Sequence, residues 1–362
     1  MIYFFSSPIG LGHVTRDIAI TQRIIEYSKN LKFNFVTGSN AYQFMNKAVM
    51  QWESCGSNIS NLYFPPQFSI RNGELKNNFL WLLKYLLYYK KCKNTATTLL
   101  LSVDKNPNGK DLVISDEDFA SLTASKEQGI SSIFITDILN TKFLRTPIIS
   151  LFEKYLNQSM QKLLAYSKCV IVPEIGDSVD NIFYVGPIVR DITMERNLLR
   201  QKLRLHKKTI LITTGGTNSG SYLIDKALLT LLGFKNKFDF DILVSNPADI
   251  TLKKKSDWYI DIGFAPNINE YIYASDLVIS LAGKSTIDEC FAYGTPGIFI
   301  PIKNHFEQEE RAKKLGFSAN DINNLLPIFA EYLSNLGSRR KKKNFDGDVK
   351  AAKIILSYLN KD

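Results

Sequence analysis

The stretch that decides the fold is Ala274–Gly316, ASDLVISLAGKSTIDECFAYGTPGIFIPIKNHFEQEERAKKLG. An apolar run, Leu277–Ser280, leads into Ala282-Gly283. Ser285 and Thr286 follow, and Asp288 and Glu289 stand one turn into a helix expected over Ser285–Ala292. Gly294-Thr295-Pro296 ends that helix, a second apolar run covers Gly297–Pro301, and Gln308 and Glu309 come near the start of another helix. Both runs are continuously apolar rather than alternating, as in parallel strands covered on both faces. Strand, helix and strand in this order make a βαβ unit.

The same rhythm extends outward in both directions. Further strands are expected at Ile2–Phe5, Phe33–Thr37, Leu112–Ser115, Ser132–Thr136 and Val170–Pro173, then at Thr209–Thr214 and Phe240–Val244. Helices are expected at Arg16–Tyr27, Ile148–Ala165 and Ser221–Leu232, with a last amphipathic one at Val349–Leu359. The fold class is therefore α/β, with two doubly wound parallel-sheet, Rossmann-like domains facing a crevice. The rhythm pauses in the charged stretch RDITMERNLLRQKLRLHKK, residues 190–208. This gives an N-terminal domain at 1–187, a linker at 188–207 and a C-terminal domain at 208–345, with the helix of 346–362 packing back on the first domain. The run SRRKKKN, residues 338–344, reads as an exposed loop of solvated charges, contact with anionic lipid being the alternative.

Composition narrows the class of function. The 362 residues suffice for two cores of ordinary size, and 45% of them are hydrophobic. No run reaches the roughly 20 apolar residues of a membrane span. The start, MIYFFSSPIG, lacks the basic region and the length of a signal peptide. Cys55, Cys92, Cys169 and Cys290 are scattered, with no CxxC pair, which suits a reducing cytoplasm and neither zinc nor a disulfide framework. The net charge of +10 favours anionic partners without naming one.

Three glycine turns carry the chemistry. The first is PIGLGHVTR, residues 8–16, between a strand and a helix. Gly10 and Gly12 permit a sharp turn and leave amides uncovered at a positive helix end. Thr15 stands where a GxGxxG fingerprint needs its third glycine, and no acidic residue ends the next strand, so a dinucleotide site is disfavoured. His13 is either a proton acceptor at the crevice mouth or only a helix cap. The second is ILITTGGTNSG, residues 210–220, which suits a diphosphate but is no P-loop because no GK[ST] follows. The third is the stretch that opens this section, where a carboxylate such as Glu289 can grip ribose hydroxyls.

Taken together, these motifs resemble the GT-B glycosyltransferases, especially the peptidoglycan N-acetylglucosaminyltransferase family and its relatives with a GxGHxxR start. The resemblance covers nearly the whole chain in motif order and is weakest between about residues 40 and 105. It places Gly10, Gly12, His13 and Arg16 at the reaction centre. VGPIVR puts Arg190 near the donor diphosphate, and GGTNSG puts Gly215, Gly216, Thr217 and Asn218 around phosphate. GFAPNINEY puts Phe264 against uracil, and AGKSTIDE puts Gly283, Ser285 and Thr286 at phosphate and Glu289 at ribose. HFEQEE puts Gln308 and Glu309 at the donor sugar. The first loop has one glycine before its histidine where the family has two. Lys284 replaces a small residue, and His305 and Gln308 match only loosely. These departures leave the donor sugar and the acceptor open.

The resemblance implies an inverting transferase that needs no metal or other cofactor. The expected donor is a UDP-sugar of N-acetylglucosamine or another hexose. The expected acceptor is lipid-linked or a glycan, reached from the cytoplasmic membrane face. Asp116 and Glu117, in ISDEDFAS after an apolar strand, are expected either to orient His13, to act as the base, or, with Asp118, to cap a helix. NNFLWLLKYLLYYKKCKN, within residues 77–94, is either a buried helix or an interfacial one with Trp81 and Tyr85 in lipid and Lys84, Lys90, Lys91 and Lys93 at headgroups. Two alternatives remain at this stage. One is a UDP-sugar hydrolase that uses the same site with water. The other is a non-catalytic nucleic-acid-binding protein, for which no motif is present.

Overall fold

The computed structural model describes residues 1–52, 56–101, 111–142, 147–215, 220–246 and 258–359. In chain order the first elements are β1 (Ile2–Ser6), α1 (Gly12–Tyr27), β2 (Phe33–Thr37), α2 (Ser39–Gln51), β3 (Asn58–Asn61), β4 (Ser69–Arg71), β5 (Glu74–Lys76) and α3 (Asn78–Leu101). Next come β6 (Leu112–Asp116), α4 (Phe119–Gln128), β7 (Ser131–Ile135), α5 (Pro147–Tyr166), β8 (Cys169–Val172), β9 (Ile182–Tyr184) and α6 (Arg196–Lys202). The last are β10 (Lys208–Thr213), α7 (Ser221–Leu232), β11 (Phe240–Ser245), β12 (Ile260–Gly263), α8 (Ile268–Ala274), β13 (Leu277–Leu281), α9 (Lys284–Tyr293), β14 (Gly297–Ile300), α10 (Phe306–Lys314), α11 (Leu325–Ser334) and α12 (Gly347–Leu359).

The chain forms two units. Unit 1 comprises Met1–Gln67, Asn77–Val189 and Phe345–Asp362, and unit 2 comprises Phe68–Lys76 and Arg190–Asn344. Unit 1 holds a seven-stranded sheet in the order β3-β2-β1-β6-β7-β8-β9, with every pairing parallel. Unit 2 holds a five-stranded parallel sheet in the order β12-β11-β10-β13-β14. Both are doubly wound, as the continuous apolar runs require. In β10, Ile210 and Ile212 pack into one core with α7 and α11, while Leu211 packs into the other with α8 and α9. Neither face of such a strand can be polar. Each fully buried aliphatic or aromatic side chain contributes about 1.5–3 kcal/mol.

The structure departs from the sequence expectation in three places. The short strands β3, β9 and β12 sit at or beside sheet edges and are half-exposed, so they lack the apolar run that marks an interior strand. The weakly matched region contains a hairpin, β4–β5, turned by Asn72-Gly73 with both φ angles positive, at +48° and +75°. This hairpin belongs to unit 2, where Leu75 is buried in the core and its amide bonds the Lys303 carbonyl, so unit 1 is not one continuous segment. Of the stretch expected as a linker, residues 190–207 group with unit 2 instead. Leu199 of α6 is fully buried there, and Arg196 and Arg200 bond the carbonyl end of α8 and the carboxylate of Asp276.

The basic run is likewise not simply solvated. Arg339 bonds the carbonyls of Tyr273, Ser275 and Tyr293, and Lys342 lies over the Tyr273 ring. Lys341, Lys342 and Lys343 remain exposed. The last helix, α12, packs on α1, with Arg23 Nε donating to Asp348 Oδ2 at 2.6 Å.

Candidate functional site

In a doubly wound sheet, crossovers from the two central strands leave in opposite directions, and the loops at their carboxyl ends part. In unit 1 those strands are β1 and β6. Ser6 and Asp116 are register partners at their ends. The loop after β1 turns at Gly10, whose φ is +86°, and α1 then starts at Gly12 with no side-chain cap. His13 and Arg16 therefore sit on the first turns of a helix aimed at the end of β6, where Asp116 and Glu117 follow the last apolar residues. This one crossing brings together all the residues expected at the reaction centre.

Asp116 is fully buried. His13 Nδ1 lies 2.9 Å from its Oδ1, and Arg16 reaches both of its oxygens, through Nε and Nη2. Burial opposes the carboxylate charge, but the Arg16 charge and hydrogen bonds outweigh it and hold Asp116 well below the usual carboxylate range. Arg16 Nη2 also comes within 3.1 Å of His13 Nδ1. A carboxylate only accepts, so an ionised Asp116 keeps a proton on Nδ1 and leaves Nε2 to take another. Burial works against a charge on His13, yet the carboxyls of Glu117 and Asp116 prevail, and the imidazole titrates above its ordinary value.

Glu117 is held beside this pair in a left-handed backbone, φ +47°, which few non-glycine residues adopt. Its Oε1 accepts from Thr136 Oγ1 at 3.1 Å and from the Asp137 amide at 3.2 Å, while Oε2 lies 3.5 Å from His13 Nε2. Burial, and then the neighbouring Asp137 carboxylate, push the Glu117 carboxyl up to about 8. Asp118 takes the capping role: its carboxylate receives the Ala120 and Ser121 amides at the start of α4, and Tyr63 donates to it at 3.1 Å.

Two members of the cluster carry no motif. Asp137 stands just beyond β7 and accepts from Arg16 Nη1 at 2.9 Å. The signal for it was its place after an apolar strand, the same place that marks Asp116. Asp17 is fully buried next to Arg16 on α1, beside Asp116 and Ser6, and its oxygens have no well-formed hydrogen bond among the described residues.

In unit 2 the parting loops follow β10 and β13. Gly215 turns with φ +65°, and a Cβ placed on it would lie 3.9 Å from Thr286 Oγ1, so the two loops meet. Gly283 precedes α9, a Cβ there would meet open space, and no side chain caps the helix. Ser285 and Thr286 stand on its first turn. Gly216, Thr217 and Asn218 lie outside the described residues. Lys284 pairs with Asp288 at 2.9 Å.

Arg190, expected near the donor diphosphate, and Glu289, expected at the ribose, are bonded to each other. Arg190 donates to Glu289 Oε1 from Nε at 2.9 Å and Nη2 at 2.8 Å, and to the Pro266 carbonyl at 2.9 Å. Burial raises the Glu289 carboxyl against the pull of Arg190. Gln308 and Glu309 each accept a backbone amide of the loop after β14, from Ile302 and Asn304 respectively, both at 3.0 Å. Phe264 is half-buried between β12 and α8.

Asp17 supplies a test of these electrostatics. Burial, and then the Asp116 charge, raise its carboxyl well above the ordinary value, so the folded chain keeps a proton that the unfolded chain sheds near pH 4. The stability drawn from that carboxyl therefore falls as pH rises above about 4. Asp17→Asn is expected to raise the melting temperature at pH 8, by about 2–4 °C per kcal/mol released, with the gain vanishing near pH 4. Thermal unfolding followed by circular dichroism across that range checks this.

Comparison with known proteins agrees with the geometry. Residues 204–325 match the glycosyltransferase family 28 C-terminal domain. An uncharacterized glycosyltransferase of Methanopyrus kandleri is 24% identical over 222 residues, covering 58% of this chain and 61% of that protein. The UDP-N-acetylglucosamine–N-acetylmuramyl-(pentapeptide) pyrophosphoryl-undecaprenol N-acetylglucosamine transferase of Prochlorococcus marinus is 27% identical over 244 residues, covering 60% of this chain and 66% of that protein. The chain thus spans less than two thirds of the length of either relative. The crystal structure of the kitacinnamycin glycosyltransferase superposes with a TM-score of 0.61 at 15% identity, covering 99% and 98% of the two chains. Unit 2 thus carries a glycosyltransferase family 28 C-terminal domain, in a chain whose two units have the GT-B fold.

Proposed function

We propose that the protein is an inverting glycosyltransferase that moves a hexose, N-acetylglucosamine first among them, from a UDP-sugar to a hydroxyl or phosphate of a lipid-linked acceptor. One observation carries this reading: the family 28 segment contains both glycine turns at the parting loops of unit 2. No side chain caps the start of α9, and the positive end of a helix suits a diphosphate. The Prochlorococcus relative is named for transfer from UDP-N-acetylglucosamine to a pyrophosphoryl-undecaprenol acceptor, which supports the donor and acceptor classes.

In this mechanism the acceptor oxygen attacks the anomeric carbon and its proton passes to Nε2 of His13. The bond from that carbon to the diphosphate breaks, and its electron pair leaves with UDP. Asp116 holds the imidazole and stabilises the imidazolium that forms. Arg190 and the amides opening α9 meet the charge on the departing diphosphate, without a metal. Donor turnover in the absence of any acceptor would favour the hydrolase reading instead.

The acceptor reading draws on α3. Trp81 and Leu82 turn inward, and Trp81 Nε1 donates to the Pro66 carbonyl at 3.0 Å, so this part of the helix is core. Phe79, Leu80, Leu83 and Leu87 remain exposed, with Leu87 at 73%, and Lys84, Lys90 and Lys91 are exposed beside them. No described helix is long and apolar enough to cross a membrane. An apolar strip edged by lysines suits the surface of an anionic membrane.

Two outcomes are expected. Calorimetry should show about micromolar UDP binding that GDP, CDP, ADP and NAD do not match. Glu289→Gln, which keeps an oxygen for Arg190, should weaken it about tenfold or more, whereas Glu289→Ala strands a buried arginine and confounds the result. Absence of nucleotide binding by the folded protein would contradict the donor assignment. On α3, Leu83→Ser with Leu87→Ser should abolish sedimentation with phosphatidylglycerol vesicles while the melting temperature and UDP affinity stay unchanged. Undiminished sedimentation would remove the lipid contact from α3.

A further inference from the structure

We propose that Asp137 is a positioning residue of the reaction centre, holding Arg16 from one side and Glu117 from the other so that His13 alone serves as proton acceptor. Its role in turnover rests on the glycosyl-transfer reading above, whereas the arrangement itself can be read directly.

The geometry is specific. Arg16 bonds two carboxylates: Nε and Nη2 go to Asp116, and Nη1 goes to Asp137 at 2.9 Å, while Glu117 Oε1 lies farther off, 3.6 Å from Nη2. The guanidinium is planar, so anchoring its third nitrogen on the far side fixes the plane in which the other two meet Asp116. The His13–Asp116 bond depends on that plane. Asp137 also reaches Glu117 by two routes. Its amide donates to Glu117 Oε1 at 3.2 Å, and its carboxylate lies near enough to oppose ionisation of the Glu117 carboxyl. The preceding residue, Thr136, donates to the same Oε1 and receives the Ile138 amide, which ties the loop after β7 to Glu117.

The consequence follows from counting charges. The groups around His13 are Arg16 and Asp17 on α1, Asp116 at the end of β6, Glu117 beyond it and Asp137 beyond β7. Tyr85 of α3 lies within electrostatic reach of Asp118 and Glu117, and burial and those carboxyls keep it neutral. Arg16 offers one permanent positive charge, which Asp116 and Asp137 share. Glu117 Oε1 lies farther from that charge, 3.6 Å from Nη2, so of the three carboxyls it is compensated least and is raised to about 8, mostly protonated at neutral pH. A protonated Glu117 cannot compete with His13 for the proton of an acceptor hydroxyl. It can instead donate a hydrogen bond. The strained backbone of Glu117 is consistent with a carboxyl fixed in place for such a purpose.

The test uses the full-length protein and needs no substrate. The chain has three histidines, His13, His206 and His305, so histidine labelled at Cε1 gives three NMR signals, and His13→Gln identifies the one of interest. With Asp137→Asn, Glu117 is released to ionise 3.5 Å from Nε2, and the His13 pKa is expected to rise by about one unit. In a Glu117→Gln background the same substitution should produce no rise. Glu117→Gln alone should lower the His13 pKa by only a fraction of a unit, because the carboxyl it replaces is mostly protonated where His13 titrates, and this arm stands even if Asp137→Asn fails to fold. A fall in the His13 pKa with Asp137→Asn, a rise that persists without Glu117, or a fall of about a unit with Glu117→Gln alone would each overturn the proposal. If the titrations behave as expected while no UDP-sugar is turned over, the positioning role holds and the glycosyl-transfer reading fails.

Discussion

The bonds between Arg16 and Asp116 are the constraint on which the candidate reaction centre depends. A carboxylate with no solvent exposure stays ionised only beside a cation that also fills its hydrogen-bonding positions. Arg16 does both, and in doing so it ties α1 to the end of β6 and, through Asp137, to the end of β7. The short loop after β1 follows from this. Gly10 must turn with positive φ so that α1 begins early enough to place residues 13 and 16 over Asp116. Removing either partner would strand the other as a buried charge, at a cost of about 3–5 kcal/mol.

The same logic appears in unit 2 with different residues. There the central pair of strands is β10 and β13, and the buried ion pair is Arg190 with Glu289. Both units thus have a doubly wound sheet, a glycine turn after the first central strand, an uncapped helix start and a buried arginine–carboxylate pair. In unit 1 the pair holds a histidine, which suits acid–base chemistry. In unit 2 the pair joins α9 to Arg190 at the start of the unit's second segment, beside a helix start that suits phosphate, and the proposed function uses it for the nucleotide.

Much of this was legible in the sequence, and the remainder was hidden for identifiable reasons. The interior strands β1, β6, β10 and β13 announce themselves because burial on both faces favours apolar residues along most of their length, with polar ones near the ends. The edges β3, β9 and β12 face water on one side and carry sequences such as NISN and IDIG, which no run of apolar residues marks. His13, Asp116 and Glu117 could be found because they follow strand ends in chain order. Asp137 also follows a strand end but lies in a polar stretch that reads as loop, and Asp17 is camouflaged by the amphipathic pattern of α1. The pairing of Arg190 with Glu289 joins positions 99 residues apart and could come only from the fold. The hairpin 68–76 joins unit 2 through backbone bonds, the Leu75 amide to the Lys303 carbonyl and the Lys303 amide to the Gly73 carbonyl, which leave no trace in side-chain pattern.

The central claim is that the His13–Asp116 pair activates an acceptor against a UDP-sugar. The most direct measurement is UDP release from UDP-N-acetylglucosamine and other UDP-hexoses, with and without a polyprenyl-phosphate lipid fraction, for the native protein and His13→Gln. The account predicts release that requires the lipid and that falls by about 10²–10⁴-fold in the variant, as loss of a general base should produce. Release that is equally fast in His13→Gln, or absent with every UDP-sugar tried, would contradict it.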